Sequence, residues 1–516
     1  MSKKKVLLIG TFTLTSAGLL SRVIGFFYRI FLSQMIGAEE LGIFQLIAPV
    51  YALMLSVCVG GIQTALSRFI ASSTAANDRE KALRFLFVGT LTAAVLSLSA
   101  GILLYQFADL IGYGLLLEER TIPILRVIAF AIFPASIHSC LTAWYFGQNK
   151  TAVPSLCQLL EQCTRAAVTY AVCRISLLQG QTLTASVAAI GTVAGEIASC
   201  VVTSLFLAAS SPLHSAARLP DYPVRDYFSP LMGMALPLTL NRIFINLLHG
   251  IESVLIPGRL LLFGLTQKES LETLGILIGM ALPMISFPST ITHAVSVMLL
   301  PDIAKDQAAG KKESILATTE QTIKYCMVLG IYAVGAFFFY GSKMGLVLFR
   351  SEQCGTFLGI LSFLSPFLYL EATLTSILNG LGKTTLVFFQ NIVGILIRIL
   401  FVWFLIPEKG ILGYLYGMLA SELAITLMNL YFLRREIPFE LHPFHNLLLP
   451  IASLILSLQL TQAFFTLLAH FAVLPQLAAL IFPLILSCTI YLSLLFPLIS
   501  SGKHHLPFFC KKKQTS

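Results

Sequence analysis

Arg22 and Arg29 stand seven residues apart in the stretch GLLSRVIGFFYRI (Gly18–Ile30), in the middle of an apolar run. Seven residues turn an α-helix through about 700°, so the two guanidinium groups share one face, about 10 Å apart along the axis. A guanidinium stays charged when desolvated, and its planar fork donates two parallel hydrogen bonds to an anion such as phosphate. Two of them on one apolar helix are either anchors that snorkel toward water or the fixed cations of an anion site.

The chain that positions them has 516 residues, 57% hydrophobic and only 11% charged, with a mean hydropathy of +0.85. A soluble domain carries roughly one-quarter charged residues. The predicted fold class is therefore an all-α integral membrane protein. About fourteen stretches are long enough to cross about 30 Å of hydrocarbon. They fall near 6–34, 41–70, 82–108, 122–147, 152–177, 184–209, 227–256, 272–300, 317–340, 355–380, 384–406, 411–433, 447–469 and 474–499. The longest polar connections, such as SSPLHSAARLPDYPVRD (Ser210–Asp226), are too short to fold into a catalytic domain. Function must be built within the membrane.

The first run is too long for a signal peptide, holds two arginines and lacks an A-x-A-like cleavage site, so it reads as a retained helix. With the N-terminus inside, the cytoplasmic segments collect nineteen lysines and arginines and the outer loops seven. That asymmetry places both termini in the cytoplasm. It also accounts for most of the net charge of +10, which makes nucleic acid a poor reading of the charge. The basic tail CKKKQTS is expected to lie against anionic lipid. The ten cysteines are scattered, without metal-ligand spacing, and read as packing residues.

An internal repeat fixes the architecture further. Adding 233 carries LGIFQLIAP (Leu41–Pro49) onto LGILIGMAL (Leu274–Leu282) without a gap, and Gly147, Lys150 and Arg165 onto Gly380, Lys383 and Arg398. GTVAGEIAS (Gly191–Ser199) falls on GYLYGMLAS (Gly413–Ser421) at an offset of 222. Six helices are followed by six equivalents in the same orientation, a parallel repeat, with two helices appended. The expected divisions are a first six-helix lobe over 1–209, a cytoplasmic linker over 210–226, a second lobe over 227–433, two further helices over 434–499 and a basic cytoplasmic tail over 500–516. In the first helix the offset is 220. Arg22 then lands on Arg242 and Arg29 on His249, so both halves carry a basic pair at a seven-residue interval.

A parallel 6+6 repeat with two added helices, a first helix reading SRVIGFFYRIFLSQMIGAEELGIFQL, and the turns FGQNKTAVP and NGLGKTTLV together resemble the multidrug/oligosaccharidyl-lipid/polysaccharide exporter superfamily. Within it they resemble the polysaccharide-transporter branch that includes stage V sporulation protein B and the lipid II flippases. The resemblance implies two six-helix lobes that alternate between inward- and outward-open states in the bacterial cytoplasmic membrane. It implies a transporter rather than an enzyme. The expected substrate is an undecaprenyl-pyrophosphate-linked sugar moved to the outer leaflet, for peptidoglycan or polysaccharide synthesis, with spore cortex as a specific case. Cell-wall synthesis enzymes are its expected partners, no cofactor is expected, and the coupling ion is left open between H⁺ and Na⁺.

For that substrate Arg22, Arg29, Arg242 and His249 are the candidate binding residues, because an anionic headgroup needs a wet cavity with fixed cations. The bland alternatives are that Arg29 snorkels from the outer end of its helix and that His249 is a satisfied core histidine. Glu161 and Arg165 are predicted to pair at i, i+4. Glu196, His293 and Glu422 are further ionisable groups within predicted helices. Glu252 and Glu371 are candidates for ion coupling, the alternative being pairing with an arginine on another helix. Arg398 has Gly394 where Arg165 has Glu161, so it must find a partner on another helix or line the cavity. Relatives that couple through acids in helices 7 and 11 are matched poorly, since helix 11 here holds Asn391 and no carboxylate.

GLGKTT (Gly380–Thr385) is not a phosphate-binding loop: its first glycine would fall on Ile377, and no strand precedes it. Prolines at 49, 134, 237, 283, 288 and 366 are expected to break helices, either beside a pathway or as packing kinks. A cation-coupled multidrug exporter of the same superfamily is the alternative function, and paired arginines disfavour its substrates. A membrane glycosyltransferase would need an aspartate-rich loop or a large extramembrane segment, and neither is present.

Overall fold

The computed structural model describes residues 3–148, 150–209, 223–440, 443–468 and 475–500, with side chains described between residues 16 and 495. Most of the expected linker, 210–222, and the basic tail from 501 lie outside these residues. All regular structure among them is helical. In chain order the helices are α1 (Lys3–Leu55), α2 (Gly61–Ala75), α3 (Arg79–Gln106), α4 (Thr121–Gly147), α5 (Ala152–Leu178), α6 (Ser186–Ala209), α7 (Arg225–Phe263), α8 (Gln267–Leu274) and α9 (Ser289–Ala308). They continue as α10 (Lys312–Phe349), α11 (Glu352–Leu361), α12 (Ser365–Gly380), α13 (Thr384–Lys409), α14 (Ile411–Glu436), α15 (Leu449–Leu468) and α16 (Ala478–Ser500).

Twelve stretches among the described residues are long and apolar enough to cross a membrane. The first of them, Ser16–Ala75, is two crossings. Gly37 breaks α1 with φ 80° and ψ 174°, a conformation that a side chain would strain. Helix α5, whose apolar run is diluted by Gln158, Glu161, Gln162 and Arg165, brings the crossings to fourteen. The expected loop between the first two crossings is thus a kink at one glycine.

The chain divides into two compact units, one of Met1–Met298 with Phe388–Ser421, the other of Leu299–Val387 with Glu422–Ser516. The first has a core of Leu66, Ile70, Phe85, Leu141, Trp144 and Ala235, with Phe69 stacked on Phe85 at 4.7 Å. The second packs Leu299, Ile303, Leu374 and Ile377 in one cluster, and Leu454, Leu458 and Tyr491 of the appended helices against Val328 and Ile331 in another.

The repeat is written into the packing. A Cβ on Gly147 would lie 2.7 Å from Ile70, and one on Gly380 would lie 2.9 Å from Ile303. These are the same contact made twice at an offset of 233, and each lets a helix end seat against an isoleucine two crossings earlier in the chain. Gly42 and Gly275, also equivalent at that offset, meet each other directly within the first unit. A Cβ on Gly42 would overlap the Leu271 carbonyl oxygen, and one on Gly275 would overlap that of Ala38. Leu271 is itself the repeat equivalent of Ala38, so the contact is reciprocal.

Glycine is required here because backbone touches backbone. Gly275→Ala is expected to force the two segments apart and to destabilise the protein by about 1–3 kcal/mol. Gly233→Ala, where an added Cβ meets nothing within 4 Å, is expected to be neutral. Thermal unfolding of the two variants in detergent separates them, and equal midpoints would show that this contact contributes nothing.

Candidate functional site

Gly18, Arg22, Gly25 and Arg29 follow one another at intervals of three and four, with Phe26 four residues on from Arg22, so they share one face of α1. The glycines leave room along that face. Across from it the chain is broken at Phe287–Pro288, between the short helix Leu282–Ser286 and α9. A cavity of about 310 Å³ lies between them, lined by Arg22, Gly25, Phe26 and Arg29 from one side and Pro283, Ser286, Phe287, Ser289, Thr290 and His293 from the other. A second cavity of about 180 Å³ shares Arg22, Thr290 and His293 and reaches Gly18 and Gln158.

The break explains how α9 comes to begin at the cavity. Pro288 has no N–H to continue a helix. The freed carbonyls are taken up by side chains, with the Ser289 hydroxyl donating to Ser286 O and the Thr290 hydroxyl to Phe287 O, both at 2.6 Å. Phe26 and Phe287 lie 4.4 Å apart between ring centroids and hold the two walls together. The positive end of the α9 dipole adds to the two guanidinium charges. Among the described residues neither Arg22 nor Arg29 forms an ion pair, whereas Arg165 and Arg398 each do. The cavity is basic and rimmed by hydroxyls, has no carboxylate among its lining residues, and so can receive an anion.

The other sequence candidates go elsewhere. Arg242 is exposed, donates from Nη2 to Thr64 Oγ1 at 3.3 Å, packs its aliphatic stem near Gly60, and lines neither cavity. His249 Nδ1 lies 3.3 Å from Glu252 Oε2. Glu252 is buried and receives Arg398 Nε at 2.7 Å and the Tyr414 hydroxyl at 2.9 Å on Oε1. Arg398 thus has its partner on another helix, and its Nη1 donates to Ser421 Oγ at 3.3 Å. Glu371 lies in the second unit and accepts from Thr375 Oγ1 at 3.2 Å. Glu161 and Arg165 pair at 2.7 Å.

Ser289, Thr290 and Gln158 were not singled out from the sequence. Pro283 and Pro288 carried the signal for the first two, because a helix broken in hydrocarbon exposes polar backbone only beside protein or water.

An ionic cluster lies at the end of the first unit that bears Gly37. Arg120 Nη1 meets Glu39 at 2.7 Å and its Nε meets Glu118 at 2.7 Å. Gln267 donates to Glu118 at 3.1 Å, and Glu40 accepts the Ala185 N–H at 2.7 Å. Burial pushes the Glu118 carboxyl up, but hydrogen bonds from Arg120 and Gln267 outweigh it and hold the group below the ordinary carboxylate range. A depressed carboxylate stabilises the fold above its unfolded value, about 4.3, and that stabilisation is lost as pH falls through the folded value. Amide exchange in the 114–120 loop is therefore expected to be flat from pH 7 to about 5 after correction for intrinsic rates, and to rise below about 4. Arg120→Gln leaves the Gln267 bond to oppose burial and is expected to remove most of that rise.

Residues 7–305 match the family described as polysaccharide biosynthesis protein. Stage V sporulation protein B of Bacillus subtilis (strain 168) is 24% identical over 446 residues, covering 85% of each chain. The lipid II flippase MurJ of the same organism is 23% identical over 423 residues, covering 77% of each. Among solved structures, the lipid II flippase MurJ in its inward closed conformation superposes with a TM-score of 0.69 at 14% identity, over 96% of this chain and 99% of that one. The Vibrio cholerae MATE transporter VcmN in its bent form gives 0.57 at 14% identity, over 84% and 99%.

Proposed function

The chain belongs to the polysaccharide biosynthesis protein family, and from that premise we propose that it is a flippase for a lipid-linked saccharide carried on a polyprenyl pyrophosphate. It is a multi-pass membrane transporter of the multidrug/oligosaccharidyl-lipid/polysaccharide superfamily. The observation that carries the substrate class is the cavity with Arg22 and Arg29 on one wall and the start of α9 on the other. A pyrophosphate fits it by charge and by its capacity to accept from guanidinium, hydroxyl and imidazole donors. The lobes over 1–209 and 227–433 are the moving parts in this reading, and the reciprocal contact of Gly42 with Gly275 is the closed side of an alternating-access cycle.

The setting follows from the named relatives. A peptidoglycan precursor, in a spore-forming bacterium that of the cortex, is the favoured cargo, handed to cell-wall enzymes at the outer leaflet of the cytoplasmic membrane. Both termini then face the cytoplasm. The fold of the MATE neighbour supports a second reading, export of organic cations. Two guanidinium groups that form no ion pair among the described residues oppose it.

The test is reconstitution of the full chain in vesicles carrying a fluorescent undecaprenyl-pyrophosphate-linked precursor, with a fluorescent organic cation in parallel. Protein-dependent flipping of the lipid is the expected result. Movement of the cation alone would replace this reading with the exporter.

A further inference from the structure

The two halves of the repeat treat their equivalent arginines differently. Arg398 pairs at 2.7 Å with Glu252, a carboxylate brought from another helix. Arg165, its equivalent, meets two: Glu161 Oε1 at 2.7 Å and Glu196 Oε1 at 3.8 Å. At the position equivalent to Glu196 the second half has Met418, by the offset of 222 that aligns GTVAGEIAS with GYLYGMLAS.

Glu196 is held there by close packing. A Cβ on Gly195 would lie 3.0 Å from the Glu161 carbonyl oxygen and 3.4 Å from Arg165 Cβ, and Gly191 sits equally tightly on Thr169. Helix α6 therefore lies flush on α5 and presents Glu196 to Arg165. The Tyr51 hydroxyl of α1 donates to Glu196 at 3.4 Å. The two carboxylates are only 16% and 12% exposed.

With both acids ionised, the group carries one net negative charge inside a membrane-spanning bundle. A charge so placed is sustained only by a counterion or by neutralisation. Two carboxylates that share one cation take up a proton as a pair rather than singly. A further cation, Arg29, lies within electrostatic range of Arg165 but lines the arginine cavity, where an anionic substrate would take up its charge. Helix α1 brings Tyr51, with Tyr28 held on Thr169 at 3.2 Å and Arg29 beside it in sequence. Helix α6 adds Cys200, and α4 brings His138, which is occupied by Thr203 at 2.9 Å.

The site adjoins the arginine cavity. Gln162 donates to Glu161 at 3.3 Å and lies 3.6 Å from where a Cβ on Gly25 would be, and Gln158, one turn earlier, lines the second cavity. Helix α1 thus carries the substrate arginines on one face and is tied to the acidic pair through Tyr51.

We propose that Glu161 and Glu196 hold one proton between them, taken up from water as a neutral carboxylic acid, and that this pair is the proton-coupling site of the transporter. The coupling role rests on the flippase reading; the proton site does not. Both parts are tested on the full chain in nanodiscs and vesicles.

Infrared difference spectra across a pH titration are expected to contain one protonated-carboxyl band that Glu196→Gln removes. Glu161→Gln also leaves one acid for one guanidinium and is expected to remove the same band, so either variant that folds is decisive. A band that survives in a folded variant, or no such band in the wild type, overturns the site. A band that sodium abolishes at constant pH overturns the proton in favour of a metal cation. In vesicles, an imposed pH gradient is expected to change wild-type flipping severalfold and to leave Glu196→Gln flipping unchanged. An equal response of both overturns the coupling. A chain that keeps the band yet flips nothing removes the flippase reading and leaves the proton site standing.

Discussion

Vesicles carrying Arg22→Ala/Arg29→Ala are expected to flip a labelled polyprenyl-pyrophosphate-linked precursor about 100-fold more slowly than wild type. Each guanidinium is placed to donate charge-assisted hydrogen bonds, and one such bond contributes about 1.5–3 kcal/mol. Two lost together amount to two or more factors of ten at about 1.4 kcal/mol each. Folding is expected to change little, because among the described residues neither arginine is tied into an ion pair. Arg22→Lys/Arg29→Lys keeps the charge and loses the planar fork, and its rate is expected to fall between the two. The readout is the initial flipping rate at matched protein incorporation. Wild-type rates in the folded double alanine variant would remove the cavity from the pathway, and equal rates for the alanine and lysine variants would show that charge plays no part in it.

The architecture was legible because membrane helices declare themselves by length and hydropathy, and because the repeat keeps one offset through LGIFQLIAP and FGQNK and resumes at a shorter one in GTVAGEIAS. What the sequence determined less well was azimuth. The offset of 220 pairs Arg22 with Arg242 and Arg29 with His249, and the four are expected to line one space. In the structure the first two do so, while Arg242 rests on Thr64 and His249 on Glu252. An offset gives positions along two helices, and it does not say how far each helix is rotated about its own axis. That rotation is set by packing, here by glycines at 42, 61, 191, 195 and 275 whose missing side chains let backbones touch. The wall opposite Arg22 comes from a break at Pro288, where proline announced the interruption but not which side chains would surround it.

Glu252→Leu is expected to destabilise the protein by about 3–5 kcal/mol, the range for removing one partner of a buried ion pair. Arg398, whose side chain is 11% exposed, would keep its charge without the carboxylate that receives it at 2.7 Å, and the Tyr414 hydroxyl would lose its bond to Glu252. Replacing both partners with apolar residues leaves no buried charge behind. Glu252→Leu/Arg398→Met is therefore expected to recover most of the loss. Unfolding of the two single variants and the double variant in detergent closes the cycle. A single substitution that lowers stability by less than about 1 kcal/mol would mean that the pair carries no structural weight and would return Glu252 to the coupling candidates. The comparison with the first half sharpens this expectation. Glu196→Gln leaves Arg165 bound to Glu161, so the same deletion made at the equivalent arginine is expected to alter protonation and leave the fold nearly as stable. The second half holds its arginine with Glu252 from another helix, whereas the first half sets Arg165 against Glu161 of its own helix and Glu196 of the next.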